Sequence, residues 1–252
     1  MDSADVFDSR VDAYEAMIDW PKRLAYEESM YRSLAERFAA HRVLDAACGT
    51  GQHAAMLAGW GLEVEAADIS PAMLERAAAR VGTSAGVRFV RRGFNEPVPA
   101  PATFDLAICV GNSLSLAGDA AGVQTALANL LLAVHPGGAV LVHVVNLWRL
   151  PEGVTQWGKC KLADLPSGRH LIIKGVHRAG DGGFVDLLVT KLEAHQATLH
   201  SDCVSFLGLR AEQLERYARS AGAAHVEFFG DYVRSPYEAA TSMDLIMVAQ
   251  RG

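Results

Sequence analysis

The chain has 252 residues, half of them hydrophobic, and a formal net charge of −6. That length supports one sizeable core with a smaller satellite lobe, and the lack of any Lys/Arg-rich block argues against a phosphate-tracking surface, so no nucleic-acid partner is expected. No apolar run reaches the ~18 residues of a membrane span, nothing resembles a signal peptide, and residues 1–40 carry nine acidic against five basic residues, so no membrane partner is expected and the expected location is cytoplasmic.

Residues 1–40 read as two helices separated near Trp20-Pro21, since proline fits the first turn of a helix. The second, Arg23 to Phe38, repeats Leu24, Met30, Tyr31, Leu34 and Phe38 at helical spacing. From residue 42 onward, strand and helix patterns alternate. Strands are expected near Arg42–Ala47, Glu63–Ala67, Val87–Val90, Asp105–Cys109 and Ala139–Val145, and helices near Gln52–Gly59, Pro71–Arg80 and Ala120–Val134. This alternation predicts an α/β fold, a parallel sheet with helices on both faces. Between Asn146 and Phe206 the pattern turns strand-like. Arg169–Val176 and Phe184–Glu193 flank the turn-rich Ala179-Gly180-Asp181-Gly182-Gly183, which predicts an antiparallel β insertion serving as a lid or substrate lobe. Arg210–Ala221 is helical again, and His225–Phe229 and Leu245–Ala249 are strands returning to the main sheet. The expected organisation is a helical cap (1–40), a ligand-binding core (41–145), a β insertion (146–206) and a closing helix with strands (207–252). Cys48, Cys109, Cys160 and Cys203 lack CxxC spacing and read as reduced thiols, and no HExxH or paired metal spacing occurs, so no metal is expected.

The most specific stretch is Val43-Leu44-Asp45-Ala46-Ala47-Cys48-Gly49-Thr50-Gly51-Gln52-His53. An apolar strand breaks into a Gly-x-Gly turn that opens a helix, and Asp68 closes the next apolar run. Glycines there let the backbone approach a ligand, and the carboxylate suits ribose hydroxyls. The loop alone is ambiguous, because Gly49-x-Gly51-x-x-Ala54 also fits a dinucleotide fingerprint. Asp45 tilts the reading: a carboxylate at the end of the strand repels a pyrophosphate and attracts a ligand bearing ammonium and sulfonium charges.

Together with Ala67-Asp68-Ile69-Ser70-Pro71-Ala72-Met73-Leu74, the stretch Val43–Gly51 resembles class I S-adenosylmethionine-dependent methyltransferases. Phe104–Ser113, with its Gly111-Asn112-Ser113, and His135-Pro136-Gly137-Gly138 resemble the glycine and sarcosine N-methyltransferase group within that class, from about Tyr14 to about Asn146. The resemblance implies a Rossmann-like sheet, mostly parallel with an antiparallel final strand. It implies S-adenosylmethionine as cofactor, S-adenosylhomocysteine as product, and a small-molecule acceptor methylated on an amine nitrogen. By the same resemblance Arg23 holds the cofactor carboxylate. Asp45, Ala46, Gly49 and Gly51 form the first binding loop, Asp68 binds the ribose, and Ile69 and Met73 pack near the adenine. Gly93, Phe94 and Val110 complete the cofactor site.

Asn112 lines the methyl-transfer site, where its amide carbonyl would accept an amine N–H. Tyr14 and His143 are the candidate proton acceptors. One departure matters: Val145 stands where the glycine enzymes carry an arginine for the substrate carboxylate. The acceptor pocket is therefore expected to be apolar and aromatic, with Asn146, Trp148 and Trp157 as candidate substrate-binding residues and Arg149 or Lys159 as candidate replacement cations. Two alternatives stay open at this point. An NAD(P)-linked oxidoreductase would lack the antiparallel final hairpin, and a non-catalytic S-adenosylmethionine-binding protein would have a closed acceptor pocket. The pattern carries no signal for oligomeric state.

Overall fold

In the computed structural model, which describes residues 11–82 and 86–252, β1 (Arg42–Asp45) is an inner strand of a seven-stranded sheet. The first ten residues of the expected helical cap lie outside the described residues. β1 pairs in parallel with β2 (Glu63–Asp68) and β4 (Phe104–Cys109). The parallel set continues from β2 to β3 (Val87–Arg91) and from β4 to β5 (Val134–Val145). The last strand, β11 (Asp244–Arg251), runs antiparallel to both β5 and β10 (Ala223–Phe229). The resulting order is β10-β11-β5-β4-β1-β2-β3. This is the mostly parallel sheet with an antiparallel final strand that the resemblance implied.

Helices cover both faces, which is why β4 and β5 carry continuous apolar runs, Leu106–Cys109 and Ala139–Val142, rather than alternating ones. Leu44, Ala107, Val140, Val142 and Met247 point to one face, packed with α5 (Ala120–Ala133) and α6 (Ala211–Ser220). Val43, Leu106, Ile108, Leu141 and Ile246 point to the other, packed with α2 (Trp20–Arg37) and α3 (Gln52–Gly59). The helices α1 (Val11–Met17) and α4 (Pro71–Val81) complete the set. Among the described residues no helix is long and apolar enough to cross a membrane.

Two boundaries differ from the sequence pattern for local reasons. The helix expected from Arg23 begins at Trp20, because the Asp19 side chain accepts Lys22 N–H and Pro21 sits in the first turn. The strand expected from Ala139 begins at Val134. Its register to β4 shifts between Phe104 and Leu106, so the Pro136-Gly137-Gly138 segment is absorbed as an irregularity inside the strand.

A second, antiparallel sheet follows, in the order β6 (Gln156–Leu165), β7 (Gly168–Ala179), β8 (Gly182–Leu192), β9 (Ala197–Leu207). β7 and β8 close through a two-residue turn with Ala179 opposite Gly182. Ile172 and Val189 of this sheet pack on Ala13, Ala16 and Met17, so α1 ties the insertion to the helical cap.

Gly51 shows how closely the first loop is packed. Its φ is +78°, and a Cβ there would lie 2.8 Å from Ala77 Cβ on α4. Gly51→Ala is therefore expected to cost about 1–3 kcal/mol in urea denaturation, from left-handed strain and overpacking together. An unchanged unfolding midpoint would refute this account of the loop.

Candidate active site

The Gly-x-Gly turn and the end of β2 are joined by one side chain. Asp68 Oδ2 accepts Gly49 N–H at 2.8 Å, and Oδ1 accepts Ser70 N–H at 2.9 Å. Ser70 in turn caps α4 through Met73 N–H at 3.1 Å. These bonds hold open a cavity of about 390 Å³ beyond the ends of β1, β2 and β4, where ligands of open α/β sheets bind. Of the expected cofactor residues, Arg23, Ala46, Gly49 and Val110 line it from the cap and the two inner strands, and Asp68, Ile69 and Met73 from β2 and α4. Gly93 and Phe94 line the far end, where Gly93 N–H is already given to Glu96 Oε1 at 2.9 Å.

Two expected members are placed elsewhere. Gly51 is absent from the lining, and its smallness serves the contact with Ala77. Asp45 lies beneath the loop at 0% exposure, and neither carboxylate oxygen has a hydrogen-bond partner among the described residues. Burial pushes its carboxyl up to about 7. Asp45 thus lies outside the lining and is a neutral carboxyl below about 7 in the ligand-free protein, where the sequence pattern implied a carboxylate.

The residues fit an adenosine-bearing methyl donor. The Ile69 side chain, 47% exposed beside Asp68, offers an apolar face to a flat ring, and a cation, Arg23, stands at the opposite end. Arg23 is fixed by Glu27, whose Oε1 accepts its Nε–H at 2.7 Å, while Glu27 Oε2 lies 2.6 Å from His53 Nε2. Burial works against the charge on Glu27, but His53 and Arg23 more than offset it and hold its carboxyl below the usual range. Burial lowers His53. Among the described residues only Arg23 Nε makes a hydrogen bond, and the terminal nitrogens of the fork fit a ligand carboxylate.

A second cavity of about 370 Å³ adjoins the first and shares Tyr14, Arg23, Gly111 and Leu116 with it. Its floor carries Asn112, His143, Val145 and Asp244, and its lid carries Lys174, Val176, Val185, Leu187, Val204 and Phe206 from the antiparallel sheet. The walls are apolar, as expected, but their aromatic rings are Tyr14, Tyr26, Tyr232 and Phe206.

The expected tryptophans are not among them. Trp148 is turned away, donating Nε1–H to Leu209 O at 2.9 Å and lying 3.3 Å under the Arg210 guanidinium. Trp157 is 55% exposed on β6. Asn146 is fully buried and spends its amide on Ala239 O, Ser242 O and Trp148 N–H, so it anchors a loop instead of lining the site. Arg149 is also outside the lining, and the Lys159 side chain lies outside the described residues.

The roles expected for three residues change with the geometry. Asn112 Oδ1 already accepts Val145 N–H at 3.0 Å, so its carbonyl stitches β4 to β5, and the amide nitrogen is the group left to the cavity. His143 Nδ1 accepts Gly111 N–H at 3.2 Å. A neutral His143 therefore carries its proton on Nε2, which is 3.1 Å from Asp244 Oδ1 in a contact short of hydrogen-bond alignment. The ring packs at 5.4 Å against Tyr232, which fixes its plane. The Asp244 carboxylate lines the cavity floor with His143 as its neighbour. Burial raises the Tyr14 hydroxyl, which makes it a hydrogen-bonding wall and a poor base.

Glu27, His53, Lys174 and Asp244 were missed in the sequence. Glu27 had one signal, its i+4 spacing from Arg23. Asp244 had another: it opens the final strand opposite Val145. Among the described residues no group of His, Cys, Asp or Glu has metal-binding geometry.

Comparison with known proteins agrees with this geometry. Residues 43–138 match the family model described as a methyltransferase domain. A glycine/sarcosine N-methyltransferase from Parasynechococcus marenigrum is 28% identical over 240 residues, covering 88% of this chain and 77% of the relative. A glycine N-methyltransferase from Rattus norvegicus is 34% identical over 141 residues, covering 51% of this chain and 48% of the relative. In fold, an amino pentose methyltransferase from Micromonospora echinaspora, solved with S-adenosylmethionine bound, superposes with a TM-score of 0.73 at 22% identity, covering 95% of each chain. The antiparallel β11 and these matches together overturn the NAD(P)-linked alternative.

Asp45 gives this site a pH signature. In the cofactor-free protein it stays protonated up to about 7, whereas its ordinary value is 3.8. Unfolding therefore releases a proton across that window, and the folded state is penalised progressively as pH rises, then by a constant amount above it. Asp45→Asn is expected to remove this slope, about 1.4 kcal/mol for each pH unit between the two values. Urea unfolding of both proteins across pH 4–8 checks it, and parallel profiles would count against the buried carboxyl.

Proposed function

We propose that this chain, a class I S-adenosylmethionine-dependent methyltransferase, methylates the amine nitrogen of a small molecule. The observation that carries the reading is the Asp244–His143 pair on the acceptor-cavity floor, next to Gly111-Asn112, where the two cavities meet. S-adenosylmethionine, when bound, supplies a methyl group on a positively charged sulfur and leaves as S-adenosylhomocysteine. Arg23 fits its carboxylate, and Asp68 with Ile69 fits its adenosine half.

An ammonium ion entering the acceptor cavity meets the Asp244 carboxylate, an attraction strengthened by the apolar walls. Its nitrogen must lose a proton to expose a lone pair, and Asp244 is placed to accept one. The nitrogen lone pair then forms the N–C bond as the C–S bond breaks, its electron pair going to sulfur, and the proton leaves to solvent. The protein's main contribution is alignment and exclusion of water. Asn112, held to Val145, and Gly111, held to His143, keep that edge rigid, while Tyr14, Leu116 and Phe206 close it.

The glycine and sarcosine N-methyltransferases similar to this chain support the nitrogen reading. An open acceptor cavity supports turnover over a silent binding role. Free thiols at all four cysteines, two of them exposed, support a reducing, cytoplasmic setting.

The test is label transfer from methyl-labelled S-adenosylmethionine to a panel of amines and phenols. Transfer to amines is expected, with Asp244→Asn lowering kcat/KM by about 10²–10³-fold while donor affinity holds. Transfer to phenols alone would overturn the proposal.

A further inference from the structure

We propose that Lys174 receives an anionic group of the acceptor, so that the acceptor carries an amine at one end, an anion at the other and an apolar body between them. The inference rests on the methyl-transfer reading above and goes on to name the substrate class.

Register places the lysine. Lys174 on β7 is opposite Leu187 on β8, which is opposite Asp202 on β9, and the neighbouring row is Val176, Val185 and Val204. All six side chains line the acceptor cavity. A lid face facing a buried cavity is expected to be apolar at each such position, and in the β7 rows that holds at Ile172 and Val176 but not at Lys174.

The other cations and acids of the cavity are engaged. Arg23 is held by Glu27, and Asp244 faces His143. Asp202 also has an interaction within the protein. Lys174 has no hydrogen-bond or ion-pair partner among the described residues, and the charge it feels is the like charge of Arg23. Burial and Arg23 both press its ammonium toward the neutral form. An unpaired ammonium in an apolar wall is costly, and an anion brought to it removes that cost while making a charge-assisted hydrogen bond.

The charges also sort the ends of a ligand. An anion is drawn to Lys174 on the lid, with Arg23 adding to the pull, and is repelled by Asp244 on the floor and by Asp202 two strands along the lid row. An ammonium is drawn to the floor instead. Val145, which pairs with Asp244 across the sheet, leaves the floor without a cation of its own. The valines, Leu187 and Phe206 then face the apolar body between the two ends.

The experiment is calorimetric binding to enzyme saturated with S-adenosylhomocysteine, using matched pairs: 4-(aminomethyl)benzoate against benzylamine, and 6-aminohexanoate against hexylamine. The acid of at least one pair is expected to bind about tenfold or more tightly than its carboxylate-free partner. Lys174→Met should erase the difference, Lys174→Arg should retain it, and neither should alter affinity for S-adenosylhomocysteine. Equal binding within both pairs, a preference that survives Lys174→Met, or no binding by either acid overturns the proposal. Loss of S-adenosylhomocysteine affinity in Lys174→Met also overturns it, since the lysine would then serve the donor. If wild-type enzyme methylates the carboxylate-free amines as well as the acids, the amine reading stands and this one fails. If the acids bind through Lys174 but no amine is methylated, the reverse holds.

Discussion

A single buried carboxylate keeps the two cavities in their relation. Glu27 is 2% exposed and reaches Arg23 on its own helix and His53 on the helix that opens from the Gly-x-Gly turn. Left alone in that setting it would be neutral, and its two partners keep it charged. The bond to Arg23 is local, but the bond to His53 fastens the N-terminal cap to the first binding loop. Arg23 can stand at the boundary of the two cavities because Glu27 fixes its Nε side. Breaking such a buried pair from one side costs about 3–5 kcal/mol in general, because the remaining charge is left uncompensated. The same interaction therefore serves stability and places the arginine.

Several of the buried polar groups that lack a partner among the described residues lie around the two cavities. Asp45 is buried without a hydrogen-bond partner and Lys174 without a counter-ion among the described residues. Gly111 and Asn112 both sit at positive φ, +75° and +72°. For Asn112 this is a strained choice, and it persists because the loop is over-determined: its N–H goes to His143 O at 3.1 Å and its Oδ1 holds Val145 N–H. A cationic donor near Asp45 and an anion near Lys174 would each relieve a cost the free protein carries, so ligand binding and stability are linked.

The sheet and the cofactor half were legible because their signals are local. The run Val43–Gly51 is strand, turn and helix start in unbroken sequence, and Asp68 follows at the end of the next strand. The acceptor half is assembled from distant segments, and there the sequence pattern misled. Trp148 and Trp157 follow the fifth strand closely, which makes them attractive candidates, yet a short 3-10 turn at Leu147–Arg149 turns Trp148 toward Leu209, and Trp157 lies on an edge strand of the second sheet. Lys174 looks like a surface lysine until the register shows that its row faces the cavity. His143 looks like a base until Gly111 N–H is seen to occupy Nδ1.

This division has a consequence for how the site is specified. The donor cavity is built on loops of the parallel sheet, whose geometry follows from β1, β2 and β4 and the Asp68 latch. The acceptor cavity takes its floor from the same sheet but its lid from β7, β8 and β9, a separate sheet with its own backbone bonds. The two cavities share Tyr14, Arg23, Gly111 and Leu116. A change on the lid therefore alters what meets the acceptor without moving the residues that fit the donor. Val145 on the floor and Lys174 on the lid illustrate this: the floor position is apolar, and the positive charge stands on another sheet. The lysine's place on the cavity wall depends on the register of β7 against β8, since a one-residue slip would turn Lys174 outward and bring Ile173 or Gly175 to the cavity in its place.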